Sequence, residues 1–156
     1  MITITSVDPL EKDVRALVAK LDAYQLSLYP PESNHLDSAK LLQQDHVRMF
    51  AARDDGKIVG CGAVKILGAY AELKRMYVIG SHRSRGIAAL LLDRLEKESL
   101  DCGLTIVRLE TGILQDAALN FYRSKGYVDR EPYGEYKTDP LSIFMEKSLT
   151  GSSESS

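Results

Sequence analysis

A strand that runs into a basic, glycine-containing turn and directly on into a helix constrains this chain more than any other stretch. Residues Leu73 to Ile79 tend to be apolar, Arg83-Ser84-Arg85-Gly86 follow, and Ile87-Ala88-Ala89 begin a helical pattern. Gly86 and the small residues behind it let a ligand approach the backbone closely. At that point the first N–H groups of the helix have no partner within the helix. Those donors, the helix dipole and the side chains of Arg83 and Arg85 together favour an anion, most naturally a phosphate or pyrophosphate. Two common phosphate-binding loops are excluded by spacing, because neither G-x-x-x-x-G-K-[ST] nor G-x-G-x-x-G occurs. What remains is R-x-x-G-x-A, carried by Arg83, Gly86 and Ala88. Taken alone, that string also suits an ordinary strand-to-helix turn with exposed arginines.

The chain of 156 residues is long enough for one domain with its own core. We expect that domain over residues 1–149, with a flexible serine-rich tail at 150–156. A net charge of −2 gives no electrostatic footprint for nucleic acid. No apolar run approaches the ~18 residues of a membrane span, and the first residues lack the layout of a signal peptide. Cys61 and Cys102 match no metal-ligand spacing, and the expectation is a cytoplasmic protein without a metal or a disulfide.

Periodicity places the elements. Met1–Ser6 reads as a strand. Asp8 and Pro9 read as the N-cap and first residue of a helix that carries Val14, Leu17, Val18 and Leu21 on one stripe and ends before Pro30. A polar loop (Pro30–His35) and a short helix near Ser38–Gln43 follow. Val47–Arg53 and Lys57–Leu67 are strands joined by Asp54-Asp55-Gly56, a hairpin signal. Ala71–Ile79 is the next strand, and Gly86–Leu100 a helix with Ile87, Leu91 and Leu95 on its inner stripe. A strand at Thr105–Thr111, a helix at Asp116–Lys125 closed by Gly126, and a strand at Leu141–Lys147 complete the order. Such an order is α+β, or mixed α/β, with a mostly antiparallel sheet.

Behind the strand Thr105–Thr111 lies Q-D-A-A-L-N-F-Y-R-S-K-G-Y, Gln115 to Tyr127. Its A-x-x-F-Y-x-x-x-G-Y string, together with R-x-x-G-x-A in the same order, resembles the GNAT superfamily of N-acetyltransferases. The resemblance covers residues 2–148. It implies an acyl-CoA N-acyltransferase fold, a mixed sheet flanked by helices whose fourth and fifth strands splay apart around the pantetheine arm of acetyl-CoA. The same resemblance implies a pyrophosphate loop at Arg83, Ser84, Arg85, Gly86, Ile87, Ala88 and Ala89. Met76, Tyr77 and Val78 would pair main chain to main chain with pantetheine, much as a peptide adds to a sheet edge, and supply the oxyanion donor. Where the family often has an asparagine that contacts the cofactor, this chain has Gln115, whose amide reaches further.

Acetyl transfer to an amine needs a proton acceptor, because an amine of pKa about 10.4 is charged near neutral pH. Glu72, on the strand feeding the turn, is the first candidate base, since several branches of the family place a glutamate on the strand that Y-A-E-L-K-R-M-Y-V resembles. Glu110 on the neighbouring strand is the rival, and either can otherwise be an ordinary strand charge. Tyr122, by its position in A-x-x-F-Y, is the candidate general acid, because a phenol can protonate a departing thiolate. Cys61, within G-C-G-A-V, reads as a buried structural thiol rather than an acyl acceptor.

The resemblance implies that the acceptor is shaped by the loops Tyr29–Leu36 and Glu131–Pro140 and by residues near Glu72. Their tyrosines and acidic residues suit a cationic amine. A small molecule or amino acid is the expected acceptor, with a peptide N-terminus or a protein lysine as alternatives. A non-catalytic acetyl-CoA-binding regulator is the other reading, opposed by the retention of Glu72 and Tyr122. Homodimers are common in the family, and no residue here decides that point.

Overall fold

Alternating and continuous apolar runs build a seven-stranded mixed sheet in the computed structural model, which describes residues 1–29, 46–134 and 136–149. The strands are β1 (Ile2–Ser6), β2 (Val47–Asp54), β3 (Lys57–Ile66), β4 (Ala71–Val78), β5 (Ile106–Gly112), β6 (Val128–Arg130) and β7 (Ser142–Ser148). Their order is β1-β2-β3-β4-β5-β7-β6, and every adjacent pair is antiparallel except β4–β5. The described helices are α1 (Lys12–Leu28), α2 (Ile87–Asp101) and α3 (Asp116–Ser124). The expected α+β class with a mostly antiparallel sheet is therefore present. The short helix expected near Ser38–Gln43 and the tail at 150–156 lie outside the described residues.

Helices cover both faces of the sheet. One core gathers Ile87, Leu91, Leu92 and Leu95 of α2 and Leu119 and Tyr122 of α3 against Val59, Leu73, Val107 and Met145. The other packs Val14, Leu17 and Val18 of α1 on Met49, Ala51, Cys61 and Ala63. Buried on both faces, β3 reads as a continuous apolar run rather than an alternating one. The β2–β3 hairpin closes through Asp55 and Gly56, both at positive φ (50° and 89°), as a two-residue turn of the primed type requires.

Two elements depart from expectation. α1 starts at Lys12, not at Pro9: the Asp8 carboxylate accepts from the Leu10 N–H at 2.8 Å, and the Glu11 N–H bonds the Asp8 carbonyl at 3.0 Å. Asp8 thus closes a turn ahead of the helix instead of capping it. β6 is an additional edge strand on β7, too short and too polar (Val-Asp-Arg) to be recognised from pattern.

The centre of the sheet carries two irregularities. β4 and β5 share only the pairs Ala71↔Val107 and Glu72↔Arg108, after which the ladder ends and the strands diverge, as the resemblance implies. On its other side β4 carries one extra residue, because Cys61 pairs with Tyr77 while Ala63 pairs with Lys74. Arg75, at φ +59°, takes up that bulge. Its side chain is buried and ion-paired with Asp22 of α1, and its carbonyl accepts from the Cys61 thiol at 3.2 Å.

Candidate active site

Where β4 and β5 part, a cavity of about 100 Å³ passes between the strands. Leu73, Met76, Leu109, Ala118 and Tyr122 line it from the α2–α3 side, and Gln25, Tyr29, Lys74, Glu110 and Gln115 line it toward α1. An apolar side and a polar side thus meet at the break in the sheet. The Ile79 N–H bonds the Val59 carbonyl at 2.9 Å, so by the two-residue period Tyr77 also turns its main chain toward β3. The main-chain groups of Met76 and Val78 therefore face the gap.

Tyr122 comes from α3, whose N-terminus follows β5. It is buried, its ring lies edge-on to Tyr127 at 5.6 Å, and burial pushes its phenol well above the ordinary range. It remains protonated, and its hydroxyl makes no hydrogen bond among the described residues. Phe121 beside it packs against the core. Glu110 projects from β5 into the cavity wall.

Glu72 is placed differently. It is only 4% exposed and is not among the residues lining the cavity. Oε2 of Glu72 accepts hydrogen bonds from Tyr133 Oη at 2.8 Å and Tyr136 Oη at 2.6 Å. Burial, then the charge of Glu72, pushes the Tyr133 phenol up, so it stays a donor. Lys74 Nζ in turn donates to Tyr136 Oη at 3.1 Å. Sequence reasoning places both tyrosines in the loop Glu131–Pro140 but misses their convergence on Glu72, since only the tertiary fold brings positions 133 and 136 over β4.

Gln115 precedes α3 and folds its side chain back. Oε1 accepts from the Gly112 N–H at 3.2 Å and from Gln25 Nε2 at 3.3 Å. Tyr29 Oη accepts from the Leu114 N–H at 3.1 Å, and its ring fills the space that a Cβ on Gly112 would need. The C-terminal end of α1 is thereby fastened to the β5–α3 junction, with glycine at 112 making room for the ring.

The basic turn has the form its sequence predicts. A short 3-10 turn (Gly80–His82) leads to Arg83, then Ser84 and Gly86 adopt left-handed φ of +64° and +78°. Gly86 is the N-cap of α2 and has no side chain to cap it, so the amides of Ile87, Ala88 and Ala89 open the helix. No atom lies within 4 Å of a Cβ built on Gly86, which leaves room above those amides. Arg83 Nε donates to the Val78 carbonyl at 3.0 Å and its guanidinium lies 5.6 Å from the Tyr77 ring centre. Arg85 lies 3.8 Å from the Asp54 carboxylate, which also bonds His82 Nε2 at 3.0 Å. Open donors, flanking cations and empty space fit a pyrophosphate.

Cys61 is fully buried and burial pushes its thiol up to about 12, so it is a protonated core group, not a nucleophile. Among the described residues, no group of three or more His, Cys, Asp or Glu is placed to hold a metal, and no helix is long and apolar enough to cross a membrane.

The sequence and the fold both have relatives among known proteins. The acetyltransferase (GNAT) family model matches residues 15–127. The IAA acetyltransferase of Azospirillum brasilense is 44% identical over 150 residues, covering 95% of this chain and 98% of that protein. The crystal structure of a protein assigned as an acyl-CoA N-acyltransferase from Klebsiella pneumoniae superposes with a TM-score of 0.82 and 37% identity, covering 96% of this chain and 98% of its own. The PaiA N-acetyltransferase of Thermoplasma acidophilum, solved in complex with coenzyme A, shares the fold at 19% identity, with a TM-score of 0.72 over 95% of this chain and 99% of that one. The chain therefore belongs to the GNAT acetyltransferase family, as an enzyme of the acetyl-CoA-dependent N-acetyltransferase class.

Proposed function

We propose that this enzyme moves the acetyl group of acetyl-CoA to a primary amine of a small molecule or amino acid, by direct attack within a ternary complex. The observation that carries this reading is the cavity at the β4–β5 break, which has a protonated phenol on one side and a carboxylate on the other. Acetyl-CoA supplies an activated thioester, and the residues around it have four tasks. The amides of Ile87, Ala88 and Ala89, with Arg83, Ser84, Arg85 and Gly86, hold the pyrophosphate. The main-chain groups of Met76 and Val78 pair with the pantetheine amides, and an N–H among them stabilises the tetrahedral oxyanion. Glu110 accepts the amine proton, directly or through a water, so that nitrogen can form its bond to the carbonyl carbon. Tyr122 gives its proton to the thiolate as the carbon–sulfur bond breaks, and the second proton of the attached nitrogen passes to the Tyr122 oxygen, which leaves the neutral amide, free CoA thiol and a restored phenol.

Between the two carboxylates considered, Glu110 is favoured as base because it lines the cavity and Glu72 does not. Direct attack is favoured over an acyl-enzyme because Cys61 is sealed in the core as a thiol.

The test is release of free CoA thiol from acetyl-CoA across a panel of amines, amino acids and peptides. IAA is added to the panel because of the name of the Azospirillum relative. Acceptor-dependent release above a no-acceptor blank is the expected result. Acetyl-CoA binding by calorimetry without release for any acceptor would instead favour a regulator, and absence of binding would overturn the assignment from Arg83 to Ala89.

A further inference from the structure

Glu72 combines features that do not suit a proton acceptor. Its carboxylate is buried, lies off the cavity, and has one oxygen engaged by two phenol donors at 2.8 and 2.6 Å. Two donors on Oε2 fill that oxygen's lone pairs and fix the orientation of the whole carboxylate, as a structural anchor requires. Both phenols belong to the stretch between β6 and β7. The Tyr133 ring packs edge-on against Tyr70 at 5.4 Å, Tyr136 at 5.2 Å and Phe144 at 5.7 Å. Tyr136 Oη also accepts from Lys74 Nζ, and Lys74 does line the cavity. On one face of β4, Glu72 and Lys74 thus grip the same tyrosine.

We propose that Glu72 is a positioning residue for acceptor recognition: it anchors the β6–β7 segment through Tyr133 and Tyr136 and, through Tyr136, sets Lys74 in the cavity wall. This inference rests on the N-acetyltransferase reading for its kinetic consequences only, because the anchoring itself is a property of the folded chain. The buried carboxylate acts at a distance from the transferred proton, so what it governs is how well the acceptor is held.

The test compares Glu72→Gln, Glu72→Ala and Tyr136→Phe with the unaltered full-length chain. In Glu72→Gln the amide keeps an oxygen able to accept both phenol bonds, so kcat should stay within about threefold and the pH–rate profile should keep its shape. Glu72→Ala and Tyr136→Phe should raise KM for the acceptor about tenfold or more while KM for acetyl-CoA holds. Hydrogen exchange supplies a readout without turnover: amides of residues 131–141 should exchange faster in Glu72→Ala and as in the parent in Glu72→Gln. A loss of roughly a hundredfold in kcat in Glu72→Gln with unchanged KM, or loss of the acid limb of its pH profile, would make Glu72 the base and overturn the proposal. Unchanged exchange at 131–141 in Glu72→Ala would overturn the anchor. Should Glu72→Ala fail to fold, the paired Tyr133→Phe and Tyr136→Phe variant carries the same exchange comparison. If the unaltered chain releases no CoA with any acceptor, the function fails while the exchange data still decide the anchor.

Discussion

At the scale of single residues, Tyr122 and Gly86 carry separate proposed roles and should fail separately. Removing the Tyr122 hydroxyl leaves the ring packed on Tyr127 and, on the mechanism proposed above, removes the proton given to the thiolate. Tyr122→Phe should lower kcat by roughly 10²–10⁴ with little change in acetyl-CoA affinity, measured by steady-state kinetics and calorimetry. Unchanged turnover would remove Tyr122 from the role of acid. Gly86 offers the reverse case. A Cβ there meets no atom within 4 Å, so the cost of Gly86→Val comes from the backbone at φ +78° and not from crowding inside the protein. That left-handed conformation costs a non-glycine residue about 1–2 kcal/mol of folding stability, while the valine side chain enters the open space proposed for the pyrophosphate, so Kd for acetyl-CoA should weaken about tenfold or more. Normal affinity in Gly86→Val would mean that the turn is not the pyrophosphate site.

Among the elements, β7 is tied to both its neighbours through one carboxylate. Glu146 Oε1 accepts from Arg108 Nε of β5 at 2.7 Å and from Arg130 Nη1 of β6 at 2.6 Å. Partial burial works against the charged form, but the bonds from Arg108 and Arg130 outweigh it and hold the Glu146 carboxyl below its usual range. A carboxyl depressed in the folded state stabilises it above the unfolded pKa of about 4.3, and that contribution is lost as pH falls through the folded value. Glu146→Gln should therefore melt below the parent protein near neutral pH, and the gap in Tm should close progressively below about pH 4. A gap that stays constant down through that range would show that the two arginine bonds contribute no pH-dependent stability.

The elements also separate what can be read from sequence from what cannot. The turn from Arg83 to Ala89 is legible because helix-start chemistry is local: a glycine, small residues and flanking cations suffice to predict it. Tyr122 is legible by its place in a helix motif. The β4 bulge is not, because nothing in an arginine signals left-handed φ; the register between Cys61 and Tyr77 imposes it, and Asp22 on α1 receives the side chain. Glu72 is hidden for the same reason. Its partners are at positions 133 and 136, and a strand glutamate looks alike on paper whether it faces solvent, a substrate or two phenols. Gln115 shows the limit of analogy by position, since its extra methylene lets the amide turn back to Gly112 and Gln25.

For the molecule as a whole, the two-pair ladder between β4 and β5 has a consequence for thermal behaviour. β1 to β4 form one antiparallel plate and β5 to β7 another, and the backbone seam joining them is only Ala71↔Val107 and Glu72↔Arg108. A ligand that bridges the seam acts as a splint, so resistance to unfolding becomes a property the protein shares with its substrate supply. Stability should rise with ligand as RT ln(1 + [L]/Kd), about 2.7 kcal/mol at a hundredfold excess over Kd. Scanning calorimetry over a series of CoA concentrations should show Tm climbing logarithmically, with proteolytic cutting near the seam slowing in step. A Tm indifferent to CoA would mean that CoA does not bind the folded chain, and the splint would fall with it. An enzyme built this way should be hardest to unfold when its acetyl donor is abundant and easiest when it is scarce.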